Sequence, residues 1–240
     1  MAEYENQAYR ARPVGGTADL AIDQGLRAYM IRVYQYMALG VGLTGVVSYW
    51  VSQTPAVYEA IFGSGLVWVA MLAPLGLVLL MSFGINRMSA ATAQGVFWLY
   101  AALNGVALAT IFLVYPIGDI ARVFFISAAT FGALSLYGYT TPRSLSAWGS
   151  FLFMGLVGIL IAMVVNIFLQ SSAMNFAISV IGVLVFAGLT AYDTQQIKEM
   201  YFEGDDGEVM GKKAIMGALR LYLDFINLFL MLLRLLSNRE

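Results

Sequence analysis

Seven apolar runs, separated by short polar stretches, occupy most of this chain of 240 residues. They are Val33–Ser52, Gly65–Phe83, Ala90–Val114, Ala121–Tyr139, Ala147–Leu169, Phe176–Ile197 and Ala214–Leu236. A helix needs about 20 apolar residues to cross the hydrocarbon core of a bilayer. Each run meets or approaches that length, so the sequence predicts an all-α membrane protein, a seven-transmembrane-helix bundle. Charged residues make up only 11% of the chain, against about 25% in a soluble domain. The loops are short, and no second membrane domain is expected. We read residues 27–240 as the membrane domain and 1–26 as a disordered cytoplasmic tail, because the tail mixes both charge signs with Gly and Pro.

There are no cysteines and no histidines. Thiolate nucleophiles, disulfides and zinc or haem sites built on His or Cys are therefore excluded. A neutral-pH response would have to come from carboxylates rather than from His. The 13 basic residues form no stripe, so nucleic acid is not expected as a partner.

Basic residues orient the chain. With the N-terminus inside, Arg10, Arg12, Arg27, Arg32, Arg87, Arg143, Lys198, Lys212 and Lys213 fall on the cytoplasmic side, and Arg122, Arg234 and Arg239 outside. Small residues repeat every four positions in two runs: Ala101, Gly105 and Ala109 in the third, Gly158 and Ala162 in the fifth, with Asn166 one step on. Such stripes let helix backbones approach. Trp50, Trp68, Trp98 and Trp148 read as interfacial anchors.

Of the 14 acidic residues, only Asp193 and Asp224 lie well inside apolar runs. A carboxylate at membrane depth costs about 2.5–3.5 kcal/mol on insertion scales, so it is rarely there without a task. Asp224 belongs to a polar stripe of Arg220, Asp224, Asn227, Met231 and Arg234, spaced to share one helix face. That face is expected to avoid lipid, which puts the last helix at the centre of the bundle, sheathed by the other six. The sixth run carries Thr190, Asp193 and Gln196 at intervals of three. Asp193 lies five residues before Lys198, about 7 Å along a helix. Asp224 lies eleven residues after Lys213. Equal depth then requires the intervening loop to reach about Ala218.

Two carboxylates in a low-dielectric site share a proton more readily than both ionise. They also suit a hard divalent cation such as calcium. Arg87, at the inner end of the second run, is the first candidate for a charge partner, and Arg220 the second. One reading makes each Asp a structural partner of an Arg; the other makes the pair proton- or ion-responsive. Catalysis as an intramembrane aspartyl protease is disfavoured. Tyr192–Asp193 resembles one signature of that class, but Asp224 follows Leu221–Tyr222–Leu223 instead of Gly-x-Gly, and no Pro-Ala-Leu stretch follows. No enzyme activity and no resident cofactor are expected. The acidic loop with Glu199, Glu203, Asp205, Asp206 and Glu208 lacks the EF-hand spacing and reads as a solvated loop.

The strings LYLDFINLFLMLLRLL at 221–236, AYDTQQIK at 191–198 and FWLYAALNGVALA at 97–109 resemble the Bax inhibitor-1 family, most closely its bacterial members. The resemblance runs over about Gly25–Leu236. It implies a seven-helix bundle with a central last helix in a bacterial inner membrane. It also implies a di-aspartyl pair, here Asp193 and Asp224, linked to pH-dependent calcium leak, with Arg87 at the position of an arginine that holds the pair closed. Relatives also include regulators of a membrane-bound protease and suppressors of cell death. Two hypotheses follow: a pH-gated cation leak with calcium preferred, or a non-conducting regulator that binds a membrane protease or another membrane protein.

Overall fold

The computed structural model describes residues 15–237, with side chains from residue 24 onward. Every apolar run becomes helical, and no strand occurs among the described residues. Without water, the backbone of a lipid-embedded segment must bond to itself, and a single helix does so completely. The helices are α1 (Gly15–Gln53), α2 (Pro55–Phe62), α3 (Leu66–Gly84), α4 (Ala90–Ala107), α5 (Ile111–Val114), α6 (Ile117–Thr140), α7 (Ser146–Leu169), α8 (Ser172–Glu199) and α9 (Gly207–Ser237). Seven stretches are long and apolar enough to span. A 3-10 turn over Leu108–Thr110 joins α4 and α5 into one of them.

Local chemistry places the ends. Ser89 caps α4 by accepting from the Thr92 amide, and Ser171 caps α8 by accepting from that of Met174. Pro55 occupies the first turn of α2, where its missing N–H costs nothing. The α7–α8 connection turns on Gln170, whose φ of 47° is left-handed. Asn166 steadies that turn, accepting from the Ser171 amide at 3.0 Å and donating to Asn175 at 2.7 Å. The first helix begins at Gly15, so residues 15–26 are helical and do not form the disordered tail read from composition. Leu20, Ala21 and Ile22 continue the helix-favouring pattern of the span backwards. Residues 1–14 lie outside the described residues.

Helix α9 is the most shielded span. Its membrane window is 67% buried, against 17% for α3 and for α7. It packs against α8, α1, α6 and α4, while α3 packs on α4 and α7 on α8. The closest neighbours of α9 are thus four of the other spans, and α3 and α7 pack chiefly on α4 and α8 instead. One stripe of α9, Arg220, Leu223, Asn227, Leu230 and Arg234, stays half-buried. Of the polar face expected to hide from lipid, Asp224 and Met231 are fully buried and the others border a groove.

Small residues set the closest approaches. A Cβ on Gly105 would lie 2.7 Å from the Thr44 carbonyl oxygen, so α4 and α1 approach backbone to backbone there, and Ala101 and Ala109 of the same stripe are fully buried, as their spacing suggests. Gly158 faces open space instead, while Ala162 and Asn166 further along its stripe pack inward. Trp50, Trp68 and Trp148 are exposed, whereas Trp98 packs on Tyr36 and Phe97.

Candidate functional site

The register of α8 against α9 builds the site. A Cβ on Gly217 would lie 3.0 Å from Ile197 Cγ2, and one on Gly182 would lie 2.8 Å from Met231 Cγ. The Lys213 ammonium donates to the Met200 carbonyl at 2.9 Å. These antiparallel contacts put Arg220 opposite Asp193 and Asp224 about one turn deeper. No unwinding to Ala218 is needed: α9 is helical from Gly207, and its first turns extend past the end of α8.

Asp193, Arg220, Asp224 and Asn227 line one cleft of about 630 Å³. Its floor is α8, with Phe186, Leu189 and Tyr192; one wall is α9; the other is α7, with Gly149, Ser150, Phe153, Leu156 and Leu160. Helix α7 packs on α8 and leaves α9 across a gap. A Cβ on Gly149 would lie 2.6 Å from the Tyr192 hydroxyl, so the Tyr192 ring is seated against bare α7 backbone next to Asp193.

The two carboxyls lie within hydrogen-bonding reach of each other, and both feel the Arg220 guanidinium. Two carboxylates only accept, so a bond between them requires a proton on one. Asp224 is 4% exposed, and its Oδ2 has no partner among the described groups. Asn227 does not supply one, since its amide donates to the Leu223 carbonyl at 2.8 Å. Asp193 is half-buried and nearer the mouth.

Other sequence candidates go elsewhere. Arg87 sits exposed in the 3-10 turn after α3 and makes no ion pair among the described residues. It follows α3, which packs on α4, whereas the guanidinium that both carboxyls feel is that of Arg220. Thr190 donates to the Phe186 carbonyl at 2.8 Å and Gln196 to Glu199 at 3.1 Å, which leaves Asp193 alone of its stripe at the site. The polar residues Gln94, Asn104 and Asn166 bond to Tyr36, Tyr222 and Asn175 in separate places, away from the acids.

The acidic loop is more tied down than its composition suggests. Glu208 accepts from the Ala90 amide at 2.7 Å, covering the start of α4, and Lys213 pairs with Asp205. Lys198 donates to the last turn of α6 at the Tyr139 carbonyl, 2.8 Å away. The α7 wall residues Ser150 and Phe153 carry no sequence signal that marks them; only the seating of α7 on α8 brings them to the acids.

Among the described residues no group of three or more Asp, Glu, His or Cys gathers. Calcium takes 6–8 oxygens, so two carboxyls suit a passing, partly hydrated ion better than a resident one.

Comparisons with known proteins extend the picture. The family model described as "Inhibitor of apoptosis-promoting Bax1" matches residues 26–240. The chain is 47% identical over 219 residues to the inner membrane protein YbhL of Escherichia coli (strain K12), covering 90% of this chain and 94% of that protein. It is 51% identical over 218 residues to protein RP147 of Rickettsia prowazekii (strain Madrid E), covering 91% and 92%. A Streptococcus pyogenes membrane protein, SpyM3_0260, is 36% identical over 230 residues, covering 91% and 96%.

Proposed function

The chain belongs to the Bax inhibitor-1 family of integral inner membrane proteins, and from that premise we propose that it is a passive, pH-responsive cation leak, calcium preferred, gated by Asp193 and Asp224. The carrying observation is the carboxyl pair, Asp224 buried and Asp193 half-buried, facing Arg220 in a cleft between α7, α8 and α9. With one proton shared and Arg220 alongside, the cluster is close to neutral and compact. Loss of the proton leaves two negative charges against one positive, and like-charge repulsion changes how α8 and α9 sit together. In this reading α9 is the axis of the bundle. The protein makes and breaks no covalent bond, so it is not an enzyme and needs no resident cofactor.

The test is calcium flux into liposomes holding the purified protein, at several pH values. Flux at no pH would remove the leak and favour the non-conducting regulator of a membrane protease or other membrane partner.

Arginine substitutions separate the two sequence candidates. Arg220→Ala frees the carboxylates from their cation, and the midpoint of the flux profile should move by about one pH unit or more. Arg87→Ala should leave the midpoint in place, because Arg87 is exposed and away from the pair. A shift with Arg87→Ala alone would return that residue to the gate.

The basic residues support a cytoplasmic N-terminus. Cysteines introduced at Ala8 and Gly204, in a chain with none of its own, should both be shielded from a membrane-impermeant thiol reagent in intact spheroplasts and react after lysis. Labelling of either in intact cells would reverse the orientation.

A further inference from the structure

The cleft over Asp193 is open on its lipid side and amphipathic along its length. We propose that it holds one phospholipid whose headgroup carries a primary ammonium, with that ammonium on Asp193, the phosphate on Arg220 and an acyl chain along α7.

Four observations carry this. The first is level. Gly149 and Ser150 are in the first turns of α7, which starts at Ser146, and Tyr192, next to Asp193, packs on Gly149. Asp193 and Arg220 therefore lie near the end of a spanning helix, where headgroups are. The second is charge. One wall presents a guanidinium and the floor a carboxylate, opposite each other in the register of α8 and α9. That pairing matches a zwitterion: Arg binds phosphate in a fork, and a carboxylate accepts from an ammonium. The third is an unmet demand. Asp224 lines the same cleft, is 4% exposed and keeps Oδ2 without a partner, so the cleft holds two carboxyls to one guanidinium, and an ammonium at Asp193 balances that surplus of acid. The fourth is the apolar end. Leading away from the acids, α7 shows Phe153 at 63% and Leu160 at 53% exposure, with Leu156 between them on the cleft wall. A soluble phosphate or amine would leave that wall unused; a membrane lipid covers it.

Lipid capture does not require conduction, so its outcome is independent of the leak. The probes are dioleoyl phosphatidylethanolamine and dioleoyl phosphatidylcholine, which share phosphate and chains. The choline headgroup has no N–H to donate. The detergent-solubilised full chain is equilibrated with an equimolar mixture, and retained lipid is read by native mass spectrometry. The wild type should retain the ethanolamine lipid in about tenfold preference, since only its ammonium forms charge-assisted hydrogen bonds. Asp193→Asn should bring the two lipids near parity. Arg220→Gln should lower retention of both. Ser150→Trp, an exposed position at the mouth, should block both while leaving the fold intact, and it guards against a variant that fails through misfolding. Parity of the two lipids on the wild type would overturn the proposal, and so would a preference unchanged in both Asp193→Asn and Ser150→Trp.

Discussion

Asp193→Asn and Asp224→Asn should each flatten the pH profile of calcium flux, whichever limb the wild type rises on. The wild-type pair can hold one proton between two oxygens that both accept, and gaining or losing it changes the charge beside Arg220. One proton linked to opening is worth about 1.4 kcal/mol per pH unit, or about a tenfold change in the open-to-closed ratio. With one carboxyl turned into an amide, the amide can donate to the remaining carboxylate permanently, and no proton needs to be shared. Flux should then vary by no more than about twofold over the range where the wild type varies about tenfold per unit. The absolute level is free to be high or low; the slope is the readout. A leak that keeps its full slope in both variants would make the pair structural, and the regulator reading would take its place.

Gly138→Ala should cause a large loss of stability. Helices α6 and α8 meet at this glycine: an added Cβ would lie far inside van der Waals contact of the Ala191 carbonyl oxygen and 2.9 Å from its carbon. The obstacle is backbone, which cannot rotate away as a side chain does. Overpacking a tight contact costs about 1–3 kcal/mol, and here the helices must part. Since Asp193 follows Ala191 by two residues, the same strain should disturb the site. Gly132→Ala on the same helix meets nothing within 4 Å and should be neutral or better, because alanine favours helix by about 1 kcal/mol. Thermal unfolding in detergent, followed by tryptophan fluorescence, should show Gly138→Ala roughly 5 °C or more below Gly132→Ala. Equal midpoints would mean that the α6–α8 contact is looser than described.

Much of this protein is a local property of its chain. A bilayer crossing is set by the length and hydropathy of one segment, because a lipid-embedded backbone has only itself to bond to; every run therefore became helical, although the first and last helices begin well before their apolar runs. Helix ends at Ser89 and Ser171 are local for the same reason, since a cap bonds within its own turn. The strings around Asp193 and Asp224 also mark the family and its carboxyl pair without reference to any other segment.

Which surfaces meet is decided between segments, and there spacing alone misleads. Arg87 ranked ahead of Arg220 as a partner for the acids, yet α3 packs on α4, while the register of α8 and α9 brings Arg220 opposite Asp193. Gly105 and Gly158 sit in the same kind of small-residue stripe, but one presses on Thr44 and the other faces open space. The polar face of the last helix was legible as a stripe; that Asp224 is buried while Arg220 and Asn227 border a groove follows from α7 packing on α8 rather than closing onto α9. Periodicity states that residues share a face. Only the close approach of distant backbones, at Gly217, Gly182, Gly149 and Gly138, determines what that face touches.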